Sequence, residues 1–165
     1  MVAITGEELL KWGKHISDSW KQVLSEHPEA LAFPCDIRET KTVAQLLQHI
    51  VAAELRYAER LNDLPQTQYD AIPFDSVEAI YKTHDRAMNL LRPLLDRDEA
   101  FWETVTDFQT RSVGTLHASR RTFFVHLLTH SIRHYAQLAT LVRHQGIEHN
   151  WTADYLFMGL ERPIA

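Results

Sequence analysis

The chain holds one cysteine, Cys35, among 165 residues. No intramolecular disulfide can form, and a thiolate zinc site built by this chain alone is excluded. Cys35 lies in HPEALAFPCDIRET, a proline-bearing connection with no histidine at close spacing, so it reads as structural rather than nucleophilic. Long apolar runs are also missing. No stretch approaches the roughly 18 to 20 apolar residues of a membrane span, and MVAITGEELLKW lacks a basic segment followed by an apolar one. The expectation is a cytoplasmic protein with no membrane partner. Clusters of Lys and Arg interleaved with aromatics are absent as well, and the net charge is −5, which argues against a nucleic-acid partner. There is no internal repeat and no low-complexity stretch. The Glu-x-x-His motifs that a di-iron bundle takes from two of its helices do not occur.

Histidine, by contrast, is plentiful, with ten in the chain. Four fall in FFVHLLTHSIRHYAQLATLVRHQG, from Phe123 to Gly146, at positions 126, 130, 134 and 144. At about 100° per residue this stretch makes one long helix with Phe123, Leu127, His130, His134, Leu138 and Leu141 along one apolar stripe. His130 and His134, at i and i+4, lie one above the other, so both rings can lean toward a single point, as a metal requires. His126 is one turn earlier but rotated roughly a quarter turn off the stripe. A lone histidine on such a face is ordinarily a hydrogen-bonded core residue. Two in register each carry a donor and an acceptor to satisfy, so a third ligand elsewhere decides between core and site.

With 45% hydrophobic residues, the chain suits one domain spanning 1–165 with a core of ordinary size. Thr5 with Glu8 three residues on predicts a capping box at the start of a first helix that runs to about Glu26. Pro28 and Pro34 end it, and a loop of about a dozen residues follows, long enough to suggest more than a connection. A second helix is expected from the Glu39 to Thr42 region to before Pro65, with Val43, Leu46, Leu47, Ile50, Val51, Leu55, Ala58 and Leu61 inward. His49 stands about 60° from Leu46 and about 40° from Ala53, bordering that face. A third helix starts near Asp75 or Ser76, with Val77, Ile80, His84, Ala87, Met88, Leu91 and Leu95 inward. His84 there reads as a core, outer-layer or site-lining residue. From Asp96 to His117 the pattern shortens around Gly114 into an irregular crossover with a short hairpin. The fourth helix runs from near Ala118 to a C-cap at Gly146, and the crossover lets it lie beside the first or second helix. The tail, with Trp151, Tyr155, Leu156, Phe157 and Met158, is expected to hold a short helix from Thr152 and to pack on the bundle or on a partner.

The expected fold is therefore all-α, a four-helix bundle with a long crossover before the last helix. In such a bundle, ligands come from inward positions on facing helices, so His49 from the second helix and the pair on the fourth can form a three-nitrogen cap with coordination positions left open.

Two stretches resemble a known family. LLQHIVAAELRYAERL, with His49, and HLLTHSIRHYAQL, with His130 and His134, are similar to the DinB/YfiT-like superfamily of metal-dependent four-helix bundles, which is distinct from the similarly named DNA polymerase. The likeness extends over nearly the whole chain in helix order and length. It implies His49, His130 and His134 as ligands of a divalent metal, zinc or nickel first, and a homodimer. His126 falls at a position often histidine in the family but not normally a ligand. The frequent HHRGQ ending is here Arg133, His134, Tyr135, Ala136 and Gln137, which leaves the metal site intact but unsettles inherited substrate details. Characterised relatives include thiol S-transferases and an isomerase that use low-molecular-weight thiols, so the resemblance implies a metal-dependent enzyme of that type acting on a small-molecule substrate. Arg56 and Tyr57 are candidates to line its pocket, and His126 and His84 to transfer protons. The alternatives are a non-catalytic metal or small-ligand binding module, a metal-dependent hydrolase and a purely structural bundle. No Ser-His-Asp or Cys-His set and no carboxylate pair stands out, so any chemistry rests on the metal.

Overall fold

The computed structural model describes residues 3–110 and 113–159. Four long helices make the body: α1 (Gly6–Glu26), α2 (Val43–Leu61), α3 (Val77–Leu91) and, after the short α4 (Glu99–Glu103), α5 (Arg120–His144). Between α4 and α5 runs an antiparallel hairpin of β1 (Val105–Gln109) and β2 (Thr115–Ser119), in the register Val105 to Ser119 and Phe108 to Leu116. α2 packs on α3 and α5, and α1 closes the ring against α5 and α3. The last helix thus touches both α1 and α2, as the expected crossover allows.

Local chemistry sets the helix ends. Thr5 Oγ1 accepts from the Glu8 amide at 3.1 Å while the Thr5 amide donates to Glu8 Oε2 at 2.7 Å, a complete capping box. Thr42, Ser76 and Ser119 cap α2, α3 and α5 in the same way with their hydroxyls. Ser119 belongs to β2, so α5 begins at Arg120 rather than at Ala118. Gly146, at φ 87, follows the last turn of α5 in the left-handed conformation that glycine adopts without penalty. α3 stops at Leu91 instead of continuing to Leu95, because Pro93 has no amide to bond the preceding turn, and Arg92–Asp96 tightens into a 3-10 turn. α4 was not expected. Asp98, whose carboxylate accepts from the Phe101 amide at 2.9 Å, starts it within the crossover.

The core has two apolar halves. Ile16, Trp20, Leu24, Leu46, Leu47, Ile50, Tyr135 and Leu138 fill one, and Leu55, Ala58, Leu61, Leu91, Phe123, Phe124, Leu127 and Leu128 the other. Removing the fully buried Leu127 side chain would cost about 2–5 kcal/mol through lost burial and the cavity left behind. The tail docks on α1: Trp12 Nε1 donates to the Ala153 carbonyl at 2.7 Å, and Trp20 meets Trp151 edge-on at 5.5 Å. Its helical turn is a 3-10 turn at Tyr155–Met158, later than Thr152, where the Thr152 hydroxyl instead accepts from the Asp154 amide. Among the described residues no helix is long and apolar enough to cross a membrane.

Candidate metal centre

The face of α5 that meets its neighbours is broader than a single stripe. Its buried residues are Phe123, Phe124, Leu127, Leu128, Ser131, His134, Tyr135, Leu138 and Val142, because this helix packs on α1 as well as α2. His134 is buried within that face, whereas His130 is half-buried at its edge and Leu141 is only partly covered. The expected stripe is thus turned toward Val142. The rotation places His130 at the seam with α2, opposite His49.

His49, His130 and His134 each offer a ring nitrogen, and these atoms all lie within 4.8 Å of one another. His49 Nε2 and His130 Nε2 are 3.2 Å apart. The His134 ring stands 4.5 Å from that of His130 and 4.9 Å from that of His49, centre to centre. The arrangement fits a cation on two counts. Two nitrogens sharing a tetrahedral zinc at about 2.0–2.1 Å lie roughly 3.3–3.4 Å apart, close to the separation found. The orientation of His134 is also suited to ligation, since its Nδ1 donates to Gln137 Oε1 at 2.7 Å, so that Nε2 carries the lone pair, which here accepts from Arg133 Nη2 at 3.3 Å. His130 Nδ1 is buried without a protein partner, so the inward lone pair on Nε2 is its main polar opportunity.

Electrostatics favour the neutral forms of His130, His134 and the neighbouring His126. Burial first, then the neighbouring rings of His134, His49 and His126 and the charge of Arg133, push His130 down to about 2. His134 is lowered mainly by burial, against the Gln137 hydrogen bond and with help from Arg133 and Arg38. His126 is lowered by burial and by Arg133. Neutral imidazole is the ligating form, so proton competition for these rings is weak near neutral pH.

His126 is exposed, one turn before His130, with ring centres 5.5 Å apart. The Tyr57 ring lies 5.4 Å from His126 and stacks on Phe108 of β1 at 3.7 Å, so the hairpin packs against α2 beside His126. Arg56 keeps a buried Nε without a protein partner two turns beyond His49. His84 is not brought to this group. Its Nδ1 meets Glu54 Oε2 at 2.7 Å between α3 and α2, both side chains 2% exposed. Burial pulls His84 down, but the charge and hydrogen bond of Glu54 outweigh it and leave the imidazole raised.

Sequence reasoning missed Glu54, Gln137 and Arg38. Glu54 sits four residues after Ile50 and seven after Leu47, so its place on the inner face of α2 was open to periodicity; its partner was not. Gln137, three residues after His134, was within helical reach. Arg38, whose charge reaches His134, comes from the 3-10 turn Ile37–Glu39 and gave no periodic signal.

A helical bundle whose facing helices bring three imidazoles to one point defines a metal-binding class of protein. The chain belongs to the DinB family, whose model matches residues 1–162. No curated protein matches the chain at a meaningful level.

Proposed function

We propose that this protein is a divalent-metal-dependent enzyme of the thiol S-transferase type, with His49, His130 and His134 holding zinc or nickel. The observation that carries the reading is the convergence of three imidazoles, two of them facing each other at 3.2 Å, at the seam of α2 and α5. Three protein ligands leave open positions for a small-molecule substrate. A metal held there supplies Lewis acidity, lowering the pKa of a thiol or water so that it is nucleophilic near neutral pH. His126, neutral because its pKa is lowered and open to solvent, is placed to accept the released proton at a ring nitrogen. The stacked Tyr57 and Phe108 rings give the His126 side of the centre an apolar neighbour. The same reading carries a cytoplasmic setting, where low-molecular-weight thiols abound, and a homodimer. The exposed Leu156 and Phe157 of the docked tail are candidates for that contact.

The test is a screen of metal-loaded protein with glutathione, bacillithiol and mycothiol against a model electrophile, run beside His49→Ala. Thiol consumption that needs both metal and His49 supports the transferase. Equal rates in both proteins put the reaction elsewhere, and no turnover with any thiol favours a hydrolase or a binding module.

A further inference from the structure

The two apolar halves of the core meet at a polar waist. On α2 the change from one half to the other falls at Glu54, between Val51 and Leu55; on α3 it falls at His84, between Tyr81 and Ala87; on α5 it falls at Ser131, between Leu128 and Tyr135. Ser17 brings α1 into the same layer, because its hydroxyl meets that of Tyr135 at 3.3 Å. Ser17, Glu54, Tyr81, His84 and Tyr135 are each no more than 2% exposed, so bulk solvent serves none of them.

Protein groups satisfy part of this layer. His84 Nδ1 meets Glu54 Oε2 at 2.7 Å, the Ser131 hydroxyl donates to the Leu127 carbonyl at 3.1 Å, and Tyr135 is paired with Ser17. His84 Nε2 and the Tyr81 hydroxyl are left over, fully buried and without a protein partner. Their rings stand one turn apart on α3, edge to face with centres 6.1 Å apart. Burial first, then the nearby Tyr135, push the Tyr81 phenol up, so it keeps a hydrogen to donate, yet its hydroxyl stands outside hydrogen-bond geometry with that of Tyr135. Leaving buried polar atoms unpaired costs more than immobilising a water to serve them. Water also suits His84 in either charge state. The neutral ring, with its hydrogen on Nδ1, offers a lone pair at Nε2, and the charged ring offers N–H there; water donates to the first and accepts from the second. Glu54 and His84 alone are too few ordinary ligands for a metal.

We propose that the waist of the bundle is a binding site for internal water, held by His84 Nε2 and the Tyr81 hydroxyl. The water extends the Glu54–His84 pair to Tyr81, beside Tyr135 and Ser17, so that polar groups from all four long helices meet in one hydrated layer. This site is independent of the metal-centre reading.

A crystal structure of the whole protein, at a resolution that shows ordered water, tests this directly. Water density within hydrogen-bond distance of both His84 Nε2 and the Tyr81 hydroxyl is expected. A dry waist, or either atom bonded to a protein group instead, overturns the proposal. Chemical denaturation of Tyr81→Phe gives a second reading in solution, through its sign. A hydroxyl that binds water contributes to stability, so its removal should lower the folding equilibrium constant about fivefold, the worth of one net hydrogen bond. A hydroxyl buried dry is a cost, and deleting it leaves the constant unchanged or raises it; either result overturns the proposal.

Discussion

His49 Nε2 and His130 Nε2 face each other at 3.2 Å across the seam of α2 and α5, on helices that share no sequence neighbourhood. If both rings are neutral, one nitrogen must donate to the other. A cation between them lets both present lone pairs, together with that of His134. Purified protein supplied with zinc or nickel should therefore retain one equivalent by elemental analysis, and His49→Ala, His130→Ala and His134→Ala should each remove most of it. Retention of full metal by any two of these variants would rule out the proposed ligand set.

The lowered pKa values set the pH behaviour. Two ordinary imidazoles half-protonated at about pH 6.5 would weaken binding roughly fourfold. With His130 held down to about 2 and His134 lowered by burial, protonation of these two rings should cost little affinity from pH 8 to pH 6.5, and their share of the loss should come only below that. The stability of the metal-free protein has the matching sign. A histidine depressed on folding contributes stability that is present above its unfolded pKa, near 6.5, and is lost as pH falls from there toward about 2. Denaturation curves at pH 8, 6.5 and 5 should show this decline in wild type and a shallower one in His130→Gln. Parallel declines would mean that His130 titrates normally.

The parts of the molecule governed by near neighbours were the legible ones. Thr5 and Glu8 announced their capping box, Gly114 its hairpin and Gly146 its cap, because each is decided within a few residues. The site was readable to the extent that His130 and His134 share a helix at i and i+4, with His49 bordering the apolar face of another. What sequence alone withheld depends on which helices touch. His84 could not be matched to Glu54 before α3 was known to lie on α2, and His130 could not be moved to the edge of its face before α5 was known to serve two neighbours. Arg38 was hidden for a different reason, since an irregular turn has no period to read.

The buried Glu54–His84 pair offers a second test, away from the metal centre. His84→Ala leaves a carboxylate 2% exposed without its partner, which should cost about 3–5 kcal/mol in chemical denaturation. Replacing both residues, as in Glu54→Met with His84→Leu, should cost much less, because no charge is then stranded. The pH dependence runs opposite to that of His130. A histidine raised on folding contributes stability that is complete below about pH 6.5 and is lost as pH rises through its folded pKa, so the advantage of wild type over the double variant should shrink toward alkaline pH. Both variants should keep the metal. A double variant as unstable as His84→Ala would show that shape, not charge pairing, sets the cost.

Gln137 tests whether the centre is built for ligation or merely accommodates it. Its Oε1 accepts from His134 Nδ1 at 2.7 Å, which fixes the tautomer and turns Nε2 toward His49 and His130. The side chain is exposed, so Gln137→Ala should change stability by no more than about 0.5 kcal/mol. Metal affinity should nevertheless fall about tenfold, the lower end of what losing such a supporting hydrogen bond costs. Gln137→Glu separates orientation from mere bulk. A carboxylate accepts the same hydrogen bond more strongly and makes His134 a more basic ligand, so affinity should match or exceed wild type. If competition with a chelator finds Gln137→Ala and wild type equal, His134 is oriented by packing alone. If Gln137→Glu binds as weakly as Gln137→Ala, the hydrogen bond is not what prepares the ligand.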